Sequence, residues 1–261
     1  MNNLKEIFQI QKVLKDNGYF DISRISNEIY QYCKRNTIPI QDVLEKIKQG
    51  HPWEHISGIV KFCGNDIFVT KDTLIPRIET EQIVDIALDI INEDSSVQEI
   101  VDVGCGSACI IISIAKEKSN LQFLATDISK EALVVAKKNV KANGLEGLIS
   151  LKERNLLGFK EISSNSLIIA NLPYIPTKMY ENLDSSVKDF EPRLALDGKD
   201  DGLFYYKELI ANIEEGKESN IYLLIEIEPS TLSDLQKYTD RIARVYKDFR
   251  GKNRFVLLHF S

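Results

Sequence analysis

Glu99-Ile100-Val101-Asp102-Val103, then Gly104-Cys105-Gly106-Ser107-Ala108, then Cys109-Ile110-Ile111-Ile112-Ser113-Ile114-Ala115 is the stretch that decides the fold. An apolar strand, a glycine turn and an apolar helix in that order open a nucleotide-binding βαβ unit. Gly104 and Gly106 let the backbone come close to a ligand. The following strand, Leu121-Gln122-Phe123-Leu124-Ala125-Thr126-Asp127, ends in a carboxylate, where such units bind a ribose diol. The dinucleotide pattern G-x-G-x-x-G would need glycine where Cys109 stands, so a pyrophosphate cradle is disfavoured. The pattern suits a nucleoside ligand without phosphates, of which S-adenosylmethionine (SAM) is one. Taken alone, the motif also reads as a plain structural strand-turn-helix.

Strands and helices alternate from about residue 76 onward. Hydrophobic periodicity predicts helices over 80–93, 107–118, 129–142, 201–215 and 230–239. It predicts strands over 98–103, 121–126, 149–152, 166–170, 221–227, 243–247 and 254–259. Such alternation argues a mainly parallel sheet with helices on both faces. Only the turn Phe249-Arg250-Gly251-Lys252-Asn253 joins the last two strands, so they should pair antiparallel. Upstream, Ile59 to Val69 alternates around Gly64-Asn65 and reads as a linking β-hairpin.

Residues 1 to about 56 read as short amphipathic helices. Leu4, Ile7, Phe8, Val13 and Leu14 fall roughly on one face of the first, which Asn17-Gly18 ends. Asp21 can cap a second carrying Ile22, Ile25 and Ile29, and Gln41 to Gln49 makes a third stopped by Gly50. The expected class is therefore α/β. A helical domain covers 1–56, a hairpin linker 57–75, and a seven-stranded, mostly parallel Rossmann-like domain 76–261.

A second motif follows the apolar run Ser166-Leu167-Ile168-Ile169-Ala170: Asn171-Leu172-Pro173-Tyr174. Open α/β sheets carry their chemistry at such strand ends. Asn171 offers one carbonyl acceptor and two donors. Pro173 is rigid and holds Leu172 extended. The Asn171 and Leu172 carbonyls can each accept one N–H of a planar –NH2 group, with the Tyr174 ring against its plane. That aims the nitrogen lone pair at an electrophile. Tyr174 also reads as a packed core aromatic.

These residues resemble the release-factor glutamine methyltransferases of the HemK or PrmC type. The family's N-P-P-Y corresponds to Asn171-Leu172-Pro173-Tyr174, and its D-x-G-x-G-x-G to Asp102 through Ala108. Leu74-Ile75-Pro76-Arg77-Ile78-Glu79-Thr80-Glu81 resembles I-P-R-P-E-T-E. Phe190-Glu191-Pro192-Arg193-Leu194-Ala195-Leu196-Asp197-Gly198, with Asp201-Gly202-Leu203, resembles the block after the active-site loop. The resemblance covers roughly 50 to 261, and the last two blocks discriminate best. Leu172, Ala108 and Ile78 depart from the pattern. Leu172 keeps its carbonyl but adds an N–H that needs a partner.

The resemblance implies a SAM-dependent methyltransferase fold and transfer of a methyl group from SAM, giving S-adenosylhomocysteine. The acceptor is the glutamine side-chain amide (N5) in the Gly-Gly-Gln loop of peptide-chain release factors. It implies that Asn171, Pro173 and Tyr174 form the catalytic loop and that Leu172, Arg77 and Glu79 join them at the substrate. Gly104, Cys105, Gly106, Ser107 and Ala108 would wrap the methionine portion of SAM. Asp102 would help place its amino group and Asp127 would accept the ribose hydroxyls. Asn155 or its neighbour would stand near the adenine, an ordinary loop cap being the alternative for Asn155. It also implies that the helical domain docks the protein substrate, with a stabilising cap as the alternative reading. For Arg77 and Glu79, capping of a helix entrance with Thr80 is an equal alternative.

Composition narrows the competing functions. With 261 residues, 43% of them hydrophobic, the chain can bury a sizeable core. Its net charge of −6 provides no footprint for duplex DNA. Lys137, Lys138 and Lys141 read as the wet face of a helix. An adenine amino-methyltransferase on nucleic acid shares N-x-P-Y but would need a basic recognition domain. A SAM-binding module without activity is the third reading. Cys33, Cys63, Cys105 and Cys109 form no C-x-x-C pair, which disfavours disulfide and zinc readings, and no metal is expected. His51, His55 and His259 lie outside the motifs, so no general base is evident. Neither a secretory segment nor a membrane-length apolar run is present, and a cytoplasmic monomer is expected.

Overall fold

Gly18 ends the first helix. In the computed structural model, which describes residues 2–216 and 218–261, helix α1 (Asn2–Asp16) stops where Gly18 takes a φ of 77°. There Tyr19 N–H reaches back to the Leu14 carbonyl at 3.0 Å. Met1, first residue of the expected N-terminal domain, lies outside the described residues. Asp21 caps α2 (Ile22–Asn36), its side chain accepting from Arg24 N–H, and α3 (Ile40–Lys48) and α4 (Trp53–Ser57) follow. Ile10, Leu14, Ile25, Ile29, Leu44, Ile47 and Trp53 form their shared core. The face of α1 is shifted from the expected one. Leu4 and Phe8 are exposed, and Ile10 and Leu14 are fully buried with Ile7 beside them. Position 10 completes the i, i+4 step that the outer residues only flank.

The chain forms two compact units, Met1–Ile59 with Asp184–Phe190, and Val60–Leu183 with Glu191–Ser261. Strands β1 (Ile59–Phe62), which starts on the last residue before the second unit, and β2 (Asn65–Phe68) make the hairpin. Its turn residues are Cys63 and Gly64, both at positive φ, one position earlier than expected. Two consecutive left-handed residues match the twist of a tight hairpin.

After α5 (Glu81–Glu93), the main sheet begins with β3 (Glu99–Val103), α6 (Cys109–Glu117), β4 (Gln122–Asp127), α7 (Lys130–Ala142), β5 (Ile149–Glu153) and β6 (Ser166–Ala170). Two short helices, α8 (Thr177–Tyr180) and α9 (Ser185–Lys188), precede α10 (Phe204–Glu215), β7 (Ile221–Glu226), α11 (Leu232–Tyr238), β8 (Ile242–Lys247) and β9 (Asn253–Phe260). Strand order is β5-β4-β3-β6-β7-β9-β8, parallel except for β9, which runs antiparallel to β7 and β8. The seven-stranded, mostly parallel expectation holds.

Alternation along each strand divides the core. Ile100, Leu167, Ile169 and Leu224 pack toward α5, α6 and α7, whereas Val101, Ile168, Leu223 and Ile225 pack toward α10 and α11. Every residue of β6 is buried, as a central parallel strand requires. Each fully buried Ile or Leu adds roughly 1.5–3 kcal/mol. The chain leaves β3 for β4 on one side and later returns to β6 on the other. This switch point opens a crevice beyond the carboxyl ends of β3, β4, β6 and β7.

Candidate active site

The turn after β3 is held from β4. Gly104 and Cys105 N–H both donate to the Thr126 carbonyl at 2.9 Å. Gly104 and Gly106 have φ of 71° and 52°. A Cβ on Gly104 would stand 2.7 Å from Leu172 Cδ2, so that side chain would have to shift. Ala108 also takes a left-handed φ of 63°. The departure from glycine therefore costs backbone strain of roughly 1–2 kcal/mol rather than crowding in the cavity, because its methyl is wholly buried.

Asp127 closes the turn. Its Oδ2 accepts from Gly106 N–H and its Oδ1 from Ser129 N–H, both at 2.8 Å. Burial raises its pKa above the ordinary carboxylate value, and these backbone N–H groups oppose that shift. Asp102 is more deeply buried. Burial pushes its pKa up to about 7, with the charge of Asp127 adding to the rise. Its Oδ2 has no hydrogen-bond partner.

The Asn171 loop hangs from a buried carboxylate at the end of β7. Thr80 Oγ1 donates to Glu226 Oε2 at 2.9 Å, and the Tyr174 hydroxyl donates to Glu226 Oε1 at 3.0 Å. Arg254 Nη1 stands 3.8 Å from the same Oε1, and its Nε pairs with Asp248 Oδ2 at 2.9 Å. Burial raises the Glu226 pKa, while the two hydroxyl donors and Arg254 lower it. Asn171 Nδ2 donates to Thr80 Oγ1 at 3.4 Å. Thr80 has one proton and gives it to Glu226, so toward Asn171 it can only accept. The amide must therefore turn its nitrogen to Thr80 and its oxygen away. The alternative helix cap by Thr80 does not form: Thr80 ends a short 3-10 turn (Ile78–Thr80) with helical φ and ψ of −70° and −18°, not the extended backbone of an N-cap, and its side chain turns to Glu226.

The discriminating blocks form the walls. Glu191 is buried. Its Oε2 accepts from Ile75 N–H at 2.9 Å and its Oε1 pairs with the Arg77 guanidinium, which ties the I-P-R segment to the F-E-P segment. Glu79 turns elsewhere, to Arg250 at 3.2 Å. The Leu196 carbonyl and Gly198 N–H bond Ile175 at 3.1 and 2.8 Å, backing the loop. A Cβ on Gly198 would stand 2.6 Å from the Pro173 carbonyl oxygen, and one on Gly202 2.3 Å from that of Tyr174.

A cavity of about 440 Å³ lies between these segments. Of the residues expected at the site, Gly104, Cys105, Gly106, Ser107, Asp127, Asn155, Asn171, Leu172, Pro173 and Arg77 line it. Asp102, Ala108, Glu79 and Tyr174 do not. The Tyr174 ring packs at the edge of the α10 side of the core, and its hydroxyl serves Glu226. Sequence reasoning missed Glu226, Arg254 and Tyr206. The available signal for Glu226 was a carboxylate ending the apolar run Ile221-Tyr222-Leu223-Leu224-Ile225.

Comparison with known proteins agrees with this architecture. The methyltransferase small domain family matches residues 80–189. The release factor glutamine methyltransferase of Flavobacterium psychrophilum is 32% identical over 228 residues, covering 84% of this chain and 79% of that protein. Its counterpart in Mycoplasma mycoides is 32% identical over 259 residues, covering 95% and 90%. That in Bacteroides thetaiotaomicron is 30% identical over 243 residues, covering 90% and 85%. Among solved structures, the catalytic domain of hMettl16 in complex with an RNA hairpin shares the fold, with a TM-score of 0.59, 18% identity and 76% of each chain covered. The N-terminal domain of human METTL16 in complex with SAH has a TM-score of 0.52 at 18% identity, again over 76% of each chain.

Proposed function

Because this chain belongs to the release factor glutamine methyltransferase family, we propose that it transfers a methyl group from SAM to a glutamine amide. The acceptor is the side-chain nitrogen (N5) of the Gly-Gly-Gln loop of peptide-chain release factors. The residues present fit SAM. Two buried carboxylates with raised pKa values, one bearing an unpartnered oxygen, favour a cationic ligand at the end of β3. Gly104 to Ser107 and Asn155 border the same cavity. Bound there, SAM supplies a methyl group on a positively charged sulfur.

The protein's own contribution is positioning. Asn171 Oδ1 and the Leu172 carbonyl accept the two N–H groups of the glutamine amide and strengthen as positive charge grows on nitrogen. Pro173 keeps that carbonyl in place. Tyr174 acts through Glu226, and the Arg77–Glu191 pair shapes the entrance. Holding the reacting atoms aligned can supply roughly 7–11 kcal/mol at best. No base is needed beforehand, because the nitrogen becomes acidic only once alkylated.

The observation that carries this reading is the direction of the chain from Asn171 Nδ2 through Thr80 to Glu226, which turns the amide oxygen of this cavity-lining residue away from Thr80. Asn171→Ala is expected to lower turnover at least about 100-fold, the scale of one lost transition-state hydrogen-bond group. Near-normal turnover would remove the mechanism. A protein substrate is favoured over nucleic acid by charge. Arg77, Arg193, Arg250 and Arg254 each face a carboxylate, which reduces what they offer phosphates. The helical residues 1–56 are assigned to docking the release factor. Among the described residues no helix is long and apolar enough to cross a membrane, and a cytoplasmic monomer remains the expectation.

A further inference from the structure

Leucine at position 172 brings a backbone N–H into a buried part of the loop; Leu172 itself is 5% exposed. A buried donor without a partner is costly. The Tyr206 hydroxyl meets this one. Leu172 N–H donates to Tyr206 Oη at 3.1 Å. Tyr206 lies in the first turns of α10, is 0% exposed and does not border the cavity. The same oxygen is hydrogen-bonded to the Glu226 carbonyl and stands 3.1 Å from the Leu172 carbonyl.

A phenol has one proton. Donated to the Glu226 carbonyl, it leaves the hydroxyl oxygen to accept from Leu172 N–H. The Leu172 carbonyl then keeps its lone pairs. Donated to the Leu172 carbonyl, it would occupy the acceptor that the reaction uses.

We propose that Tyr206 is the positioning residue that lets leucine stand at 172. Its hydroxyl takes the extra N–H, ties the loop to the end of β7 and leaves the Leu172 carbonyl free for the substrate amide. The last clause rests on the function proposed above, whereas the pairing of Tyr206 with the Leu172 N–H does not.

The test is a double-mutant cycle of Tyr206→Phe and Leu172→Pro, because proline has no N–H to satisfy. It is read first on ligand-free protein by denaturant unfolding. Tyr206→Phe should lower the midpoint more in the Leu172 background than in the Leu172→Pro background. The second readout is kcat for release-factor methylation, with SAM affinity measured separately by calorimetry. With leucine at 172, Tyr206→Phe should lower kcat about 10-fold, the scale of one orphaned buried donor. SAM affinity should hold within about 2-fold, because Tyr206 does not border the cavity. In the Leu172→Pro background the same change should cost no more than about 3-fold.

Equal effects in both backgrounds would overturn the proposal and reduce Tyr206 to a packing residue. Coupling in stability with none in kcat would keep the pairing and refute the free carbonyl. Should Tyr206→Phe alone fail to fold, the double variant is expected to recover folded protein. Failure of both would also overturn the proposal.

Discussion

The Thr80 hydroxyl donates to Glu226 Oε2 at 2.9 Å across 146 positions of sequence. That direction decides how a third residue is presented. Thr80 can then only accept from Asn171, so the amide turns its nitrogen to Thr80 and its carbonyl away from it. An isolated asparagine amide has no such preference, since its two ends differ little in shape.

Thr80→Val keeps the shape and removes both hydrogen bonds. It should lower kcat by about 10-fold or more, because the Asn171 amide is freed to flip and Glu226 loses a donor. Thr80→Ser should recover most of that loss. Single-turnover methylation at saturating SAM separates the two. Equal activity of the valine and serine variants would contradict the orienting role.

Glu191 is the tie between the two wall segments. Glu191→Ala orphans the Ile75 N–H as well as Arg77, and should cost about 1–3 kcal/mol. On a chain of this size each ~1 kcal/mol lowers Tm by roughly 2–4 °C. Arg77 is over one-third exposed at 37%, and solvent screens its share. Arg77→Ala should therefore destabilise less than Glu191→Ala in differential scanning calorimetry. The reverse order would show that the ion pair, not the backbone contact, carries the tie.

Asp102 predicts a pH signature. Its folded pKa of about 7 lies above its ordinary 3.8, so the folded protein holds this proton more tightly than the unfolded chain does. Its contribution to stability is complete below about pH 4 and is lost as pH rises through 7. In ligand-free protein, Asp102→Asn should raise Tm at pH 8, and the gain should vanish toward pH 4. The same variant should bind SAM more weakly at pH 8, where the carboxylate would face a cation. A Tm difference independent of pH would contradict the burial of an ionisable group at this position.

Much of this arrangement was legible in the sequence because local signals carried it. The strand, glycine turn and helix from Glu99 to Ala115, and the apolar run before Asn171, each depend on neighbours along the chain. So does the antiparallel pair around Gly251. What was not legible depends on residues far apart in sequence. Thr80 looked like a helix cap because a threonine before Glu81 usually is one; only the sheet brings Glu226 within reach of it. The partner of the Leu172 N–H lies 34 residues away on α10. Ala108 showed in the sequence only as a departure from the family's glycine, and its cost lies in a left-handed backbone. The exposed Leu4 and Phe8 belonged to the same hydrophobic pattern as the buried Ile10, and periodicity does not say which side of a wide apolar stripe faces inward.

Intact-mass spectrometry of a purified release factor, incubated with this protein and SAM, tests the central claim most directly. A parallel sample would carry alanine in place of the Gly-Gly-Gln glutamine. One added methyl on the unmodified factor and none on the variant is the predicted result, with Asn171→Ala abolishing the product over the same time. Equal methylation of both factors, or none on either while SAM binding is intact, would contradict it.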